Sequence, residues 1–175
     1  FLEFSNYRAW WKCHVCGFEW FTAVYSRTYG NGCPECARNS IKSKLQTYVE
    51  NYISDVYQYN VLHEHKCNLK IRNPKTGVLL PYDNEVVDLR LMIEVHGEQH
   101  YRICGFTKMC ASHNNTTPEQ AFEDQQYRDK IKKDYALSQG YEYLEIPYTA
   151  EKNDQYKQLI DDKIHEILNL TNITK

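Results

Sequence analysis

From Leu89 to His96 the side chains alternate with the period of a strand. Leu89, Leu91, Ile93 and Val95 stand on one side, and Arg90, Met92, Glu94 and His96 on the other. Gly97 follows at once and lets the backbone turn or lets something approach closely. Just upstream, Asp83–Val87 reads as a partner strand, so an antiparallel hairpin turning at Asp88 is expected. A helical period carries Ile41, Leu45, Tyr48, Val49, Tyr52 and Ile53 and predicts a helix over 40–54. Tyr57–Leu62 reads as a strand, Asn73–Gly77 as a turn, and Val78–Leu80 as a return to the core. The stretch 102–115 has no period and is expected to be irregular, a place for substrate contacts. A helix start then stands out, with Thr117 as N-cap, Pro118 in the first turn and Gln120 closing a capping box. That helix should run to about Ser138, with Gly140 just past its end. Tyr141–Tyr148 is the last predicted core strand and 154–168 an amphipathic closing helix.

Composition narrows the setting. The chain has 175 residues, 42% of them hydrophobic, and a net charge of -2. No apolar run reaches membrane-spanning length, and a membrane partner is not expected. The chain opens Phe-Leu-Glu rather than with Met, as a piece of a longer protein would. Local charge says more than the total: Lys66, Lys70, Arg72 and Lys75 follow one another between 66 and 82 without an acid. A solvated loop would explain such a run, and so would a hairpin gripping phosphates.

Seven cysteines are present, and four of them, Cys13, Cys16, Cys33 and Cys36, form C-x2-C-x16-C-x2-C, the spacing of a four-thiolate zinc site. The odd total argues against a disulfide scaffold and for a reducing, cytoplasmic setting. Four thiolates leave no open coordination position, so this zinc is structural. Glu19–Tyr25 reads as a strand between the knuckles, and Trp10, Trp11 and Trp20 as the segment's own small core. His14 is read as a surface residue. The pattern W-x-C-x-x-C-G-x-x-W…G-x-G-C-P-x-C resembles that of the zinc-ribbon family, which makes residues 1–38 an expected zinc ribbon.

The chemistry-bearing residues cluster in 83–101. Asp83 is followed eleven residues on by Glu94 and then by His96, and an acid and a histidine two apart at a strand end can converge with the upstream acid on one metal ion. This spacing resembles the PD-(D/E)XK nuclease core with histidine in the lysine position. The run Ile93-Glu94-Val95-His96-Gly97-Glu98-Gln99-His100-Tyr101 is similar to the very-short-patch repair endonucleases and the EDxHD homing endonucleases. Asp129–Lys132 on a helix and Leu144–Tyr148 on a strand fit the same group. The resemblance implies an α/β fold with an α-β-β-β-α-β restriction-endonuclease-like core over 39–175, an intracellular protein of bacterial or phage type, and DNA as partner. It also implies a Mg2+ or Mn2+ ion held by Asp83, Glu94 and the Val95 carbonyl, with His96 serving the attacking water. His100 would protonate the leaving oxygen or ligate, Asp129 would hold a histidine tautomer, and Gln99 would position substrate. Lys66, Lys70, Arg72, Lys75 and Lys132 are expected at DNA.

Other constellations were weighed beside these. The first-helix region Ser40–Lys44 has no acid where relatives carry a glutamate, which leaves Glu50 or Glu64 as substitutes. Glu85 ranks second to Asp83, and Asp88 reads as a turn residue. His63, His65 and Cys67 would share one strand face but have no partner motif. His96–His100 lacks the Glu that a zinc protease needs directly after its first histidine. The leading expectation is a divalent-metal-dependent DNA endonuclease. Its alternatives are a catalytically inactive zinc-ribbon DNA-binding module and a zinc-ribbon protein that binds RNA or another protein.

Overall fold

The computed structural model describes residues 5–14, 17–34, 37, 42–64 and 66–173. The chain divides into two compact units, Phe1–Lys44 and Leu45–Lys175.

In the first unit, β1 (Arg8–Lys12) and β2 (Glu19–Ala23) pair antiparallel, and a short helix α1 (Val24–Thr28) follows where the strand was expected to continue to Tyr25. Trp11 stands opposite Trp20, and the Arg27 guanidinium packs over both rings at 5.4 and 5.3 Å. Trp10 pairs with Phe21 on the other face and is 73% exposed, so it is not part of a tryptophan core. The alternation of the hairpin decides this, because neighbouring residues on a strand cannot both face inward.

The second unit opens with α2 (Lys44–Tyr52), which runs into a π-helical turn over Ile53–Tyr57. A strand was expected to begin at Tyr57. Instead the Tyr52 and Tyr57 hydroxyls both reach Asp161, at 2.9 and 2.6 Å, and that convergence holds the widened turn. The main sheet has the order β3-β6-β7-β8, formed by β3 (Val61–Glu64), β6 (Tyr82–Val86), β7 (Leu91–His96) and β8 (Glu142–Pro147). The first three are antiparallel neighbours, and β8 lies parallel to β7. A small hairpin, β4 (Ile71–Arg72) and β5 (Leu79–Leu80), interrupts the path from β3 to β6.

Parallel neighbours need a crossover. Here it consists of α3 (Gly105–His113) and α4 (Pro118–Ser138). The helix α3 corrects the expectation of an irregular 102–115. Only Thr107 and Ala111 of this helix are buried, one turn apart, which is too narrow a stripe to show as a period. Its start is a capping box of Cys104 and Thr107. The start of α4 is as the sequence predicts: the Gln120 N–H donates to Thr117 Oγ1 and the Thr117 N–H to Gln120 Oε1.

Leu91, Ile93, Val86 and Ile146 bury against Leu45 and Val49 of α2, Ile53 of the π-helical turn, and Ile160 and Ile164 of the closing helix α5 (Gln155–Ile173). Each such aliphatic side chain contributes roughly 1.5–3 kcal/mol. Met92, Tyr82, Cys67 and Ala136 form a second, smaller core on the α4 side. Both sheet faces are therefore covered, in a mixed α/β architecture. No described helix is long and apolar enough to cross a membrane.

Candidate active site

The site begins with an irregularity in β6. Val61, Leu62 and His63 pair with Val86, Glu85 and Asn84, but Glu64 pairs with Tyr82, so Asp83 is the extra residue of a bulge. A bulge re-aims side chains and ends regular pairing. Without it Tyr82 would share the face of Val86; with it Tyr82 packs with Met92 and Ala136 on the α4 side. The paired register of β6 and β7 ends at Asn84–Ile93. The Asp83 N–H donates to Glu94 Oε1 at 3.1 Å, and the Val95 N–H donates to Asp83 Oδ2 at 2.8 Å. The two acids thus take the places of ladder carbonyls and stand side by side.

Glu94 is 3% exposed, and its Oε2 accepts from the Lys132 ammonium at 2.5 Å. Burial pushes the Glu94 carboxyl up to about 8, against the pull of Lys132 and with the push of Asp83. Burial also raises Asp83, again opposed by Lys132. Two buried acids beside one ammonium leave the pair a cation short. Lys132 was expected at DNA. It is buried instead, with its carbonyl accepting from the Tyr82 hydroxyl at 2.8 Å and its ammonium over the Tyr82 ring at 5.2 Å. An ammonium so enclosed is held by Glu94 and is not available to a phosphate chain.

At the end of β7, His96 is buried and its ring stacks on that of His100, with centroids 4.2 Å apart and planes 9° apart. Burial, and then the neighbouring His100, lower His96 to about 4, so its imidazole is neutral near pH 7. Its Nε2 is buried with no hydrogen-bond partner, an orphaned atom that calls for a bound group. His100 Nδ1 donates to Asp129 Oδ2 at 2.7 Å, and Gln125 Nε2 donates to Asp129 Oδ1 at 2.8 Å. Burial raises the Asp129 carboxyl, but the hydrogen bond and charge of His100 outweigh it and the net shift is downward. An ionised Asp129 fixes the proton on Nδ1 and leaves His100 Nε2 as the acceptor.

Helix α4 supplies this set through one stripe, Gln125, Asp129, Lys132 and Ala136, spaced four, three and four residues apart. Asp129 was expected on this helix beside a histidine, Gln125 was missed, and Lys132 was expected at DNA rather than at Glu94. Glutamine and lysine at helical spacing look like any solvated face, and only the approach of β7 distinguishes them. Gln99 folds back over Gly97, where an added Cβ would lie 2.5 Å from Gln99 Oε1. Gly97 therefore permits a close approach rather than an unusual backbone angle.

Asp83, Glu94, His96, His100 and Asp129 are thus brought together, with Gln99 beside them. The Val95 side chain packs into the α2–α5 core. Glu85 is buried and accepts from Asn68 and from the Tyr141 hydroxyl, which makes it structural. Asp88 accepts from the Asn60 N–H at the turn, as expected. Glu50 lies 3.4 Å from His63, which faces the α2 side with Asn84, so it does not join the site. The charge of Glu64 adds to the upward shift of Asp83. The strand β3 ends at Glu64, so His63 and Cys67 do not continue one face, and His65 lies outside the described residues. Of the basic run, Arg72 donates to the Gly77 carbonyl and Lys75 sits 4.1 Å over the Tyr127 ring, while Lys66 and Lys70 are exposed.

Two donor sets suit metal ions. Asp83 and Glu94 offer oxygens, the preference of a hard cation such as Mg2+, and Asp83 Oδ1 carries no hydrogen bond among the described residues. His96, His100 and Asp129 bring one ligand atom each within 4.8 Å of one another, a nitrogen-rich set suited to transition ions. In the first unit, the Gly17 N–H donates to the Cys13 carbonyl and the Ala37 N–H to the Cys33 carbonyl, so the two knuckles share one main-chain turn. Gly17 has φ +73°, the left-handed conformation that glycine adopts without strain. Cys16 and Cys36 lie outside the described residues.

Residues 2–39 match the family described as "Probable Treble clef zinc finger domain". The match supports the expected zinc-binding segment and a structural zinc in it. Cys67, Cys104 and Cys110 form no disulfide. An uncharacterized protein of Invertebrate iridescent virus 3, 033L, is 34% identical over 84 residues, which is 48% of this chain. The match covers 39% of the viral protein's length. No solved structure matches.

Proposed function

We propose that the Leu45–Lys175 unit is a divalent-metal-dependent endonuclease of the PD-(D/E)XK type, acting on DNA. The observation that carries this is the bulge at Asp83, which sets that carboxylate against Glu94 beside the orphaned Nε2 of His96 and the His100–Asp129 pair. The element order α2, β3, β6, β7, α4, β8 agrees with the core that the family resemblance implies.

Asp83 and Glu94 would hold the ion, which supplies polarisation of the phosphate and acidification of a bound water. Neutral His96 offers its Nε2 lone pair to a proton of the attacking water. As the water oxygen bonds to phosphorus and the P–O bond to the leaving strand breaks, the departing oxygen takes a proton. His100, which Asp129 holds through Nδ1, would pass on a proton taken up from solvent at Nε2. Between turnovers the Lys132 ammonium stays hydrogen-bonded to Glu94 Oε2, the oxygen an incoming ion would take over.

A catalytically inactive DNA-binding module is favoured by one observation, the Lys132 ammonium on Glu94 where a cation would bind. Incubation of the whole chain with supercoiled plasmid and Mg2+ or Mn2+ separates the two. Cleavage that disappears in Asp83→Ala and slows by about 10²–10⁴ in His96→Ala supports the endonuclease. Retained plasmid binding without cleavage in either metal leaves the inactive module.

A further inference from the structure

Beside the proposed centre lies a cavity of about 380 Å3 between α3 and the first turns of α4. That volume is in the range of small-molecule sites, about 300–1,000 Å3. Gln99 and Gln125 form its wall on the side of the dyad, since Gln125 Nε2 also lies 3.4 Å from His100 Nδ1. Phe106, 52% exposed, and Ala121 supply apolar surface. Asp124 and Arg128 stand one helical turn apart on α4, and both line the cavity without pairing with each other. Asp124 makes no hydrogen bond or ion pair among the described residues, and Arg128 donates from one nitrogen to Gln125 Oε1 at 2.6 Å.

We propose that this cavity takes one guanine base, unstacked from the strand being cut, an inference that rests on the endonuclease reading above. A phosphate is a poor occupant, because Asp124 offsets Arg128. A bare metal ion is also poorly served, because Phe106, Ala121 and Thr107 line the space. A nucleobase suits both halves: a flat face to lie on Phe106 and an edge rich in donors and acceptors. Guanine presents two adjacent donors, N1–H and the 2-amino group, to the two oxygens of one carboxylate. Its O6 and N7 accept from a guanidinium. The position fits as well, because hydrogen bonds join the cavity to the dyad. Arg128 donates to Gln125, and Gln125 donates to Asp129. A base held there would sit next to the phosphate that the dyad serves.

The test needs no cleavage. Guanosine, adenosine, cytidine and thymidine are compared for binding to the whole chain by saturation-transfer NMR. Hairpin DNAs with one unpaired base of each kind are compared by fluorescence anisotropy in Ca2+. Guanine should be preferred by roughly tenfold to a hundredfold. Ala121→Trp, which fills the space, should abolish guanosine binding. Asp124→Asn and Arg128→Met should each flatten the preference, and they serve if Ala121→Trp does not fold. Equal binding of all four bases, or guanosine binding untouched by these substitutions, overturns the proposal. DNA cleavage without a guanine preference removes the base site and leaves the endonuclease standing. Guanosine binding without cleavage in any metal removes the endonuclease and leaves the site.

Discussion

Replacing Glu94 by glutamine should become more favourable to stability from acid to alkaline buffer. Burial raises the wild-type carboxyl from 4.5 to about 8, so between those values the folded chain holds a proton that the unfolded chain has released. Its contribution is therefore present at low pH and is lost as pH rises through the folded value, at up to ~1.4 kcal/mol per unit. Between pH 6 and pH 8.5 the loss from this group is on the order of 2–3 kcal/mol. Glutamine has no such slope. Its cost beside the Asp83 N–H and the Lys132 ammonium is the same at every pH, because an amide does not titrate. Glu94→Gln should therefore gain about 2–3 kcal/mol on wild type between pH 6 and pH 8.5. Urea unfolding in zinc-containing buffer free of other divalent ions provides the measurement. Tyrosine absorbance should follow mainly the second unit, which holds twelve of the 15 tyrosines, while all three tryptophans stand in the first. If the two proteins keep a constant difference across this range, Glu94 is ionised throughout and the burial reasoning fails.

Two further outcomes concern the flanks of the site. Metal analysis of the purified chain should find one tightly held zinc, and Cys13→Ser or Cys33→Ser should release it while unfolding the first unit, since so short a segment has little core; a protein prepared without chelator and free of zinc would rule this out. Lys70→Gln together with Arg72→Gln should weaken binding to all DNA sequences alike and lower the salt slope by roughly two phosphate contacts. An unchanged slope would move the DNA path elsewhere.

Local rules carried much of the second unit. Helix α4 begins and ends where Thr117, Pro118, Gln120 and Gly140 announce it, because capping is settled within four residues of chain. The face of Glu94 and His96 was likewise legible, since strand alternation has a fixed period. The hairpin pairs as Asn84 with Ile93 and Val86 with Leu91, close to the expected register. The zinc-binding character of residues 2–39 was legible for the same reason, since paired cysteine spacing is a local signal.

What tertiary structure alone decided is where a residue's neighbours come from another element. The bulge at Asp83 exists only as a mismatch between β3 and β6, so nothing in either strand's own pattern marks it. Lys132 has the spacing of a solvated lysine. It becomes the hydrogen-bond partner of Glu94 because the crossover lays α4 across β7, where a buried carboxyl must find a donor. Helix α3, with a buried stripe of two residues, takes form from its cap and its packing rather than from any period. Arg128 and Gln125 followed the same logic, for a polar side chain on a helix shows its partner only when the partner's strand or loop is in place. Periodicity reports the direction in which a side chain points; the charge or hydrogen bond waiting there depends on chain far away in sequence.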